Sequence, residues 1–168
     1  MMTSDFESVP SKEVPFEAAP PGPSLKARAV ALLSRREYSL AELSRKLAPY
    51  ASDETELQTV LTSLADQGWQ SDKRYVQAVL HRKSARQGTA RIIQSLRQQG
   101  VETDLIDEAR DRLRQTELER ARQVWAKRFS REGSPTDRQS YARQARFLAA
   151  RGFSSEVINR LLRHPDLD

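Results

Sequence analysis

The sequence predicts an all-α fold: an elongated tandem array of three three-helix units behind a disordered, proline-rich N-terminal tail. Three observations predict it. From Ser24 onward, apolar residues recur at helical rather than alternating spacing. A short phrase that closes one helix and opens the next occurs three times. Finally, a unit of roughly 40 residues buries too little apolar surface to be stable alone, so neighbouring units are expected to share cores in a row rather than form a ball.

Residues 1–24 hold Pro10, Pro15, Pro20, Pro21 and Pro23, a density that blocks helices and sheet ladders alike. Phe6, Val9, Val14 and Phe16 are isolated there. Asp5, Glu7, Glu13 and Glu17 against Lys12 make the tail acidic. It reads as a dispensable leader or as an internal decoy for a basic surface.

Unit 1 covers 25–70. Leu25, Ala29, Leu32 and Leu33 form one amphipathic stripe. Ser39 with Glu42 predicts a capping box before a helix with Leu40, Leu43 and Leu47 inward, which Pro49 ends. Ser52, Asp53 and Glu54 start a third helix burying Leu57, Val60, Leu61 and Leu64, closed by Gly68. Unit 2 covers 71–115. Ser71 and Asp72 open a helix with Tyr75, Val76, Val79 and Leu80 inward. Gly88 marks the turn to a helix burying Ile92, Ile93 and Leu96. Thr103 and Asp104 are expected to cap a third, with Leu105, Ile106, Ala109 and Leu113 inward. Unit 3 covers 116–164. Its helices carry Ala121, Val124, Trp125 and Phe129, then Tyr141, Ala142, Ala145 and Leu148, then Val157, Ile158, Leu161 and Leu162, with Pro165 as terminator.

The repeated phrase is Leu64-x-x-x-Gly68-Trp69-x-Ser71-Asp72, Leu96-x-x-x-Gly100-Val101-x-Thr103-Asp104 and Leu148-x-x-x-Gly152-Phe153-x-Ser155-Glu156. Each Leu packs, and the Gly leaves the helix in the left-handed conformation. The apolar residue then folds back, the hydroxyl caps the next helix and the acid meets its dipole.

Composition narrows function. The chain of 168 residues has a net charge of +5, a mean hydropathy of -0.71 and no Cys. Disulfides, thiolate metal sites and cysteine nucleophiles are therefore excluded. No apolar run approaches the ~20 residues that span a bilayer, and no secretory leader is evident, so a cytoplasmic protein without membrane contact is expected. No phosphate-binding glycine loop and no nucleophile elbow occurs. His81 and His164 lie far apart without partner ligands. Neither catalysis nor a cofactor is expected. The aromatic residues Tyr38, Trp69, Tyr75, Trp125, Phe129, Tyr141, Phe147 and Phe153 are expected in the core, with base stacking as the alternative and Phe147 the first to test.

One stretch stands out. Lys73 to Gly100 has no Asp or Glu but carries Lys73, Arg74, Arg82, Lys83, Arg86, Arg91 and Arg97. A helix pair is expected there that buries one face and presents an all-cationic face to an anionic partner. A second cluster, Arg138, Arg143, Arg146 and Arg151, sits at an equivalent place in unit 3. A lone charge run is usually a solvated face, but two at matching positions favour a functional surface. The tail sums to -3, so subtracting it from +5 leaves +8 on the rest.

Several segments resemble one family. Ala31-Leu32-x-x-Arg35 running to Arg36-Glu37-Tyr38-Ser39-x-x-Glu42-Leu43 is similar to the opening helix pair of the RecX regulatory proteins. Gly68-Trp69-x-x-Asp72-x-x-Tyr75-Val76, with Arg82 downstream, continues the likeness. Gly88-x-x-x-Ile92-x-x-x-Leu96-x-x-x-Gly100-Val101 resembles a second signature of that family. The likeness covers about 25–115 closely and 116–163 more loosely. Thr89 and Gln70-Ser71 depart from the family's usual Pro and Leu-Asp. The resemblance implies a nine-helix crescent and a non-enzymatic regulator of the RecA recombinase. It also implies binding along the RecA–single-stranded-DNA filament, with strand exchange, ATP hydrolysis and SOS coprotease activity lowered. The candidate contacts to RecA or DNA are Lys73, Arg74, Arg82, Lys83, Arg86, Arg91, Arg97, Arg143 and Arg146, on a chain expected to be a monomer. The rival expectation is a direct DNA binder of helix-turn-helix type, to which three-helix units with basic helices are also suited.

Overall fold

The computed structural model describes residues 22–163. Most of the tail, together with His164 and Pro165, lies outside the described residues. Among those described are nine α-helices and no strand. Unit 1 contains α1 (Leu25–Leu33), α2 (Leu40–Leu47) and α3 (Glu54–Asp66), with a 3-10 turn at Ala48–Tyr50 after α2. Unit 2 contains α4 (Asp72–Lys83), α5 (Thr89–Gln98) and α6 (Thr103–Gln115). Unit 3 contains α7 (Glu117–Phe129), α8 (Arg138–Ala149) and α9 (Ser155–Arg163).

The helix ends follow local chemistry. Ser24, Ser39, Asp53, Ser71 and Asp137 each accept a backbone N–H in the first turn of the helix they precede. At Ser39 only half of the expected box forms: Ser39 accepts from Glu42 N at 3.1 Å, while Glu42 itself is drawn to Arg36 at 2.5 Å. Gly68, Gly100 and Gly152 have φ of 73°, 69° and 85°, as the repeated phrase requires. Ser71 caps α4 as the phrase predicts, but at its other two occurrences the cap falls one residue earlier. Glu102 rather than Thr103 is the N-cap of α6, and Ser154 accepts from Val157 N ahead of α9.

Two apolar assignments are corrected. Val101 and Phe153 fold back and are buried, but Trp69 is 48% exposed. Gln70 takes the inward position there, donating to Tyr38 O at 3.2 Å and to Asp72 Oδ1 at 2.8 Å. Leu40 is 40% exposed, because Leu43 and Leu47 fill the inner face of α2.

The expectation of shared cores is also corrected. The buried side chains separate into three clusters, one per unit, centred on Leu43 and Leu64, on Ile92 and Leu96, and on Ala121 and Leu148. The units are joined by polar seams instead. Between units 1 and 2, Ser39 Oγ donates to Gln99 O at 2.7 Å and Leu40 N donates to Asp72 Oδ1 at 2.8 Å. Arg74 pairs with Glu37 at 2.8 Å across the same seam.

The seam between units 2 and 3 is tighter. Gly88 N donates to Arg151 O at 2.8 Å and Ala90 N to Gly152 O at 3.1 Å. The backbones approach so closely that a Cβ on Gly88 would lie 2.2 Å from Gly152 C and O. Arg120, only 8% exposed, ties the seam further. It donates to Ser84 O, Gln87 O and Leu113 O at 3.2, 2.6 and 2.9 Å. It also donates to the Thr89 and Thr116 hydroxyls. The buried Glu117 accepts Thr89 N at 3.2 Å, capping α5 from the neighbouring unit. The hydrogen bonds described between units join unit 1 to unit 2 and unit 2 to unit 3, the pattern of an array extended in chain order.

Candidate functional site: the cationic surface of unit 2

The stretch from Lys73 to Gly100 folds as α4 and α5 with the turn between them. Tyr75, Val76 and Val79 on α4 and Ile92, Ile93 and Leu96 on α5 go into the unit 2 core. Burying those residues pushes the charged residues between them outward. Lys73, Arg82, Arg86 and Arg97 are exposed and engaged by no hydrogen bond or ion pair among the described residues.

Lys83 sits differently. It is half-buried, and its Nζ donates to Ser95 Oγ of α5 at 2.7 Å. Its pKa lies below the ordinary lysine value, first because burial removes water and then because Arg82 and Arg91 crowd it with like charge. Three cations therefore converge where α4 meets α5, and no carboxylate among the described residues compensates Lys83. Such a site carries a positive potential that an anion relieves.

The structure assigns other candidates to structural bonds. Arg74 donates to Glu37 and to the carbonyls of Gly68 and Trp69, so it closes the unit 1–unit 2 junction. Arg91 donates to Ala150 O of unit 3 at 2.9 Å. In the second cluster, Arg143 is held by Glu132 and Arg146 by its own helix carbonyl Ala142 O at 3.2 Å. Arg151 lies 3.6 Å over the Phe147 ring. That ring packs edge-on against Phe129 with centroids 5.0 Å apart, which leaves Phe147 part-covered rather than offered to a base. The all-cationic face is thus a smaller surface than the charge count suggests, concentrated on unit 2.

Charge counting along the sequence missed Arg110 and Arg114. They lie one turn apart on α6, and with Arg97 of α5 they line a cleft of about 290 Å³ that ends at Gly152 and Ser154 of unit 3. Their acidic neighbours in sequence, Asp107 and Asp111, hid them. The i, i+4 spacing along the flank of the Ile106–Leu113 face was the available signal. Arg120 and Glu117 were missed as seam residues because burial is invisible in a list of charges. Among the described residues, no group of three His, Asp or Glu side chains is placed to hold a metal ion. No helix there is long and apolar enough to cross a membrane.

Tandem three-helix units that carry a band of cations engaged by none of the described residues define a helical-array protein with a cationic surface. Residues 71–109 match the family model described as RecX, second three-helix domain, and residues 115–162 match RecX, third three-helix domain. The regulatory protein RecX of Leptothrix cholodnii is 50% identical over 143 residues, covering 85% of this chain and 90% of that protein. Those of Chromobacterium violaceum and Ralstonia nicotianae are 48% and 43% identical, covering 84% and 85% of this chain and 90% and 89% of theirs. The chain belongs to the RecX family of regulatory proteins. The crystal structure of RecX from Lactobacillus salivarius shares the fold with a TM-score of 0.71 at 20% identity, covering 86% of this chain and 96% of that one.

Proposed function

We propose that this chain regulates RecA by binding the RecA–single-stranded-DNA filament in the cytoplasm, as a monomer, and lowers its recombinase, ATPase and coprotease activities. Family membership supports the regulatory role. The observation that carries the proposed contact is the convergence of Arg82, Lys83 and Arg91 where α4 meets α5, with no acid among the described residues to neutralise Lys83. Exposed Lys73, Arg86 and Arg97 extend that surface. Arg143 and Arg146 on α8 and Arg74 at the unit 1 junction, each already held by an internal bond, are secondary candidates. An array linked only between chain neighbours suits a long, grooved partner.

The triple variant Lys73→Glu/Arg82→Glu/Arg86→Glu tests this. None of the three side chains makes a hydrogen bond or ion pair among the described residues, so the variant is expected to fold normally. It should inhibit the ATPase of RecA on single strands about tenfold less well at moderate salt, because rim charges govern encounter and register. Unchanged inhibition by the folded variant would overturn the proposal. A gel shift with and without RecA separates this reading from a helix-turn-helix DNA reader, which would bind duplex alone with a steep salt dependence.

A further inference from the structure

We propose that the cleft between α5 and α6 is a binding site for the phosphodiester backbone of a single nucleic-acid strand, held by Arg97, Arg110 and Arg114. The inference rests on the regulatory reading above but deepens it, since it assigns a ligand chemistry to residues which that reading does not use or uses only as general charge. Three guanidinium groups line one concavity of about 290 Å³, against a single lining carboxylate, Glu117. That carboxylate is already committed, being buried and accepting Thr89 N.

Arg97 and Arg114 make no hydrogen bond or ion pair among the described residues. Arg110 is drawn to Asp107 on its own helix. Guanidinium is the planar, forked donor that suits phosphate oxygens, and it stays charged at every physiological pH. Arg110 and Arg114 stand one helical turn apart, about 5–6 Å between Cβ atoms, with Arg97 facing them from α5. That is a short row of cations along an open channel, the arrangement that tracks a strand rather than enclosing one small ion. The floor, Ala90 and Ile93, carries no aromatic ring, so the cleft would hold backbone and leave bases unread. The lack of an aromatic ring in the lining also removes one common anchor for a protein side chain.

The experiment measures binding of the full chain, without RecA, to a fluorescent single-stranded oligonucleotide by anisotropy across a salt series. Arg97→Gln/Arg114→Gln is compared with wild type and with Arg131→Gln/Arg160→Gln, which removes the same charge from exposed positions elsewhere on unit 3. Circular dichroism confirms that both variants are folded. The cleft variant should bind about tenfold more weakly at low salt, two solvent-exposed charge contacts being lost. The slope of log affinity against log salt should flatten by about 1.4, at ~0.7 per phosphate contact on single strands. The control should keep the wild-type slope. Equal losses in both variants, no loss in either, or no oligonucleotide binding by wild type would each overturn the proposal. So would unchanged oligonucleotide binding combined with lost RecA inhibition, which would mean that the cleft receives protein carboxylates. RecA ATPase inhibition, read in parallel, tests the filament reading separately.

Discussion

Replacing Arg120 by Met should loosen unit 3 from unit 2 at least as much as any core truncation of similar size. The substitution keeps most of the side-chain volume and removes the donors. Three carbonyls, the buried one of Leu113 and the part-buried ones of Ser84 and Gln87, then lose their Arg120 donor. The Thr89 and Thr116 hydroxyls can turn to other partners. Leaving a buried acceptor unmade costs about 1–3 kcal/mol, and water can reach the part-buried Ser84 and Gln87 carbonyls, so about 1–3 kcal/mol is expected from the lost hydrogen bonds. Glu117 is buried beside Arg120 and is the charge that opposes the lowering of the Arg120 pKa by burial. Leaving the buried Glu117 without that neighbouring cation brings the expected loss to roughly 3–5 kcal/mol, the cost of an uncompensated buried charge. For a chain of this size that is a fall in Tm of about 6–12 °C at the low end. Urea denaturation followed by circular dichroism measures it. If the seam opens before the units unfold, the transition should also broaden and the apparent m-value fall. Arg120→Met within about 1 kcal/mol of wild type, with an unchanged m-value, would refute the view that this guanidinium joins the two units.

Gly88→Ala tests the same seam without touching a charge. The φ of Gly88 is -75°, which Ala adopts freely, so any loss comes from the Cβ meeting the Gly152 and Phe153 backbone. A cost of about 2–4 kcal/mol is expected from overpacking and the two cross-seam backbone bonds. Hydrogen exchange at Gly88 and Ala90 should accelerate, and wild-type protection would sink the prediction. Lys83 should titrate below ordinary lysine in NMR of the labelled amine. Between that depressed value and the unfolded value of 10.5, the folded state holds fewer protons, so this group's contribution to stability grows as pH rises through the window. Arg91→Gln should raise the Lys83 pKa only part of the way, because burial is the larger cause. No movement at all would mean that the two side chains do not share a field.

Much of this molecule was legible along the chain. Helical spacing of Leu, Ile and Val placed all nine helices, since burying one face of a helix demands that period wherever the helix lies. The left-handed glycines at Gly68, Gly100 and Gly152 were legible because an L side chain is strained there. The acid-free run from Lys73 to Gly100 located a cationic surface for the same local reason: no carboxylate nearby in sequence could neutralise it. Tertiary structure alone decided which cations are spent. Arg74 and Arg91 look like Arg82 and Arg86 in sequence, yet the former reach across seams to Glu37 and Ala150 O, while the latter make no hydrogen bond or ion pair among the described residues. It also decided that polar seams, rather than shared apolar cores, join the units, and that Arg120 is interior while Arg97, Arg110 and Arg114 gather at one cleft. Spacing within a helix is set by neighbours three and four residues away, so one strand of sequence carries it. The partner of a charge is set by which helices meet, and those contacts join residues dozens of positions apart.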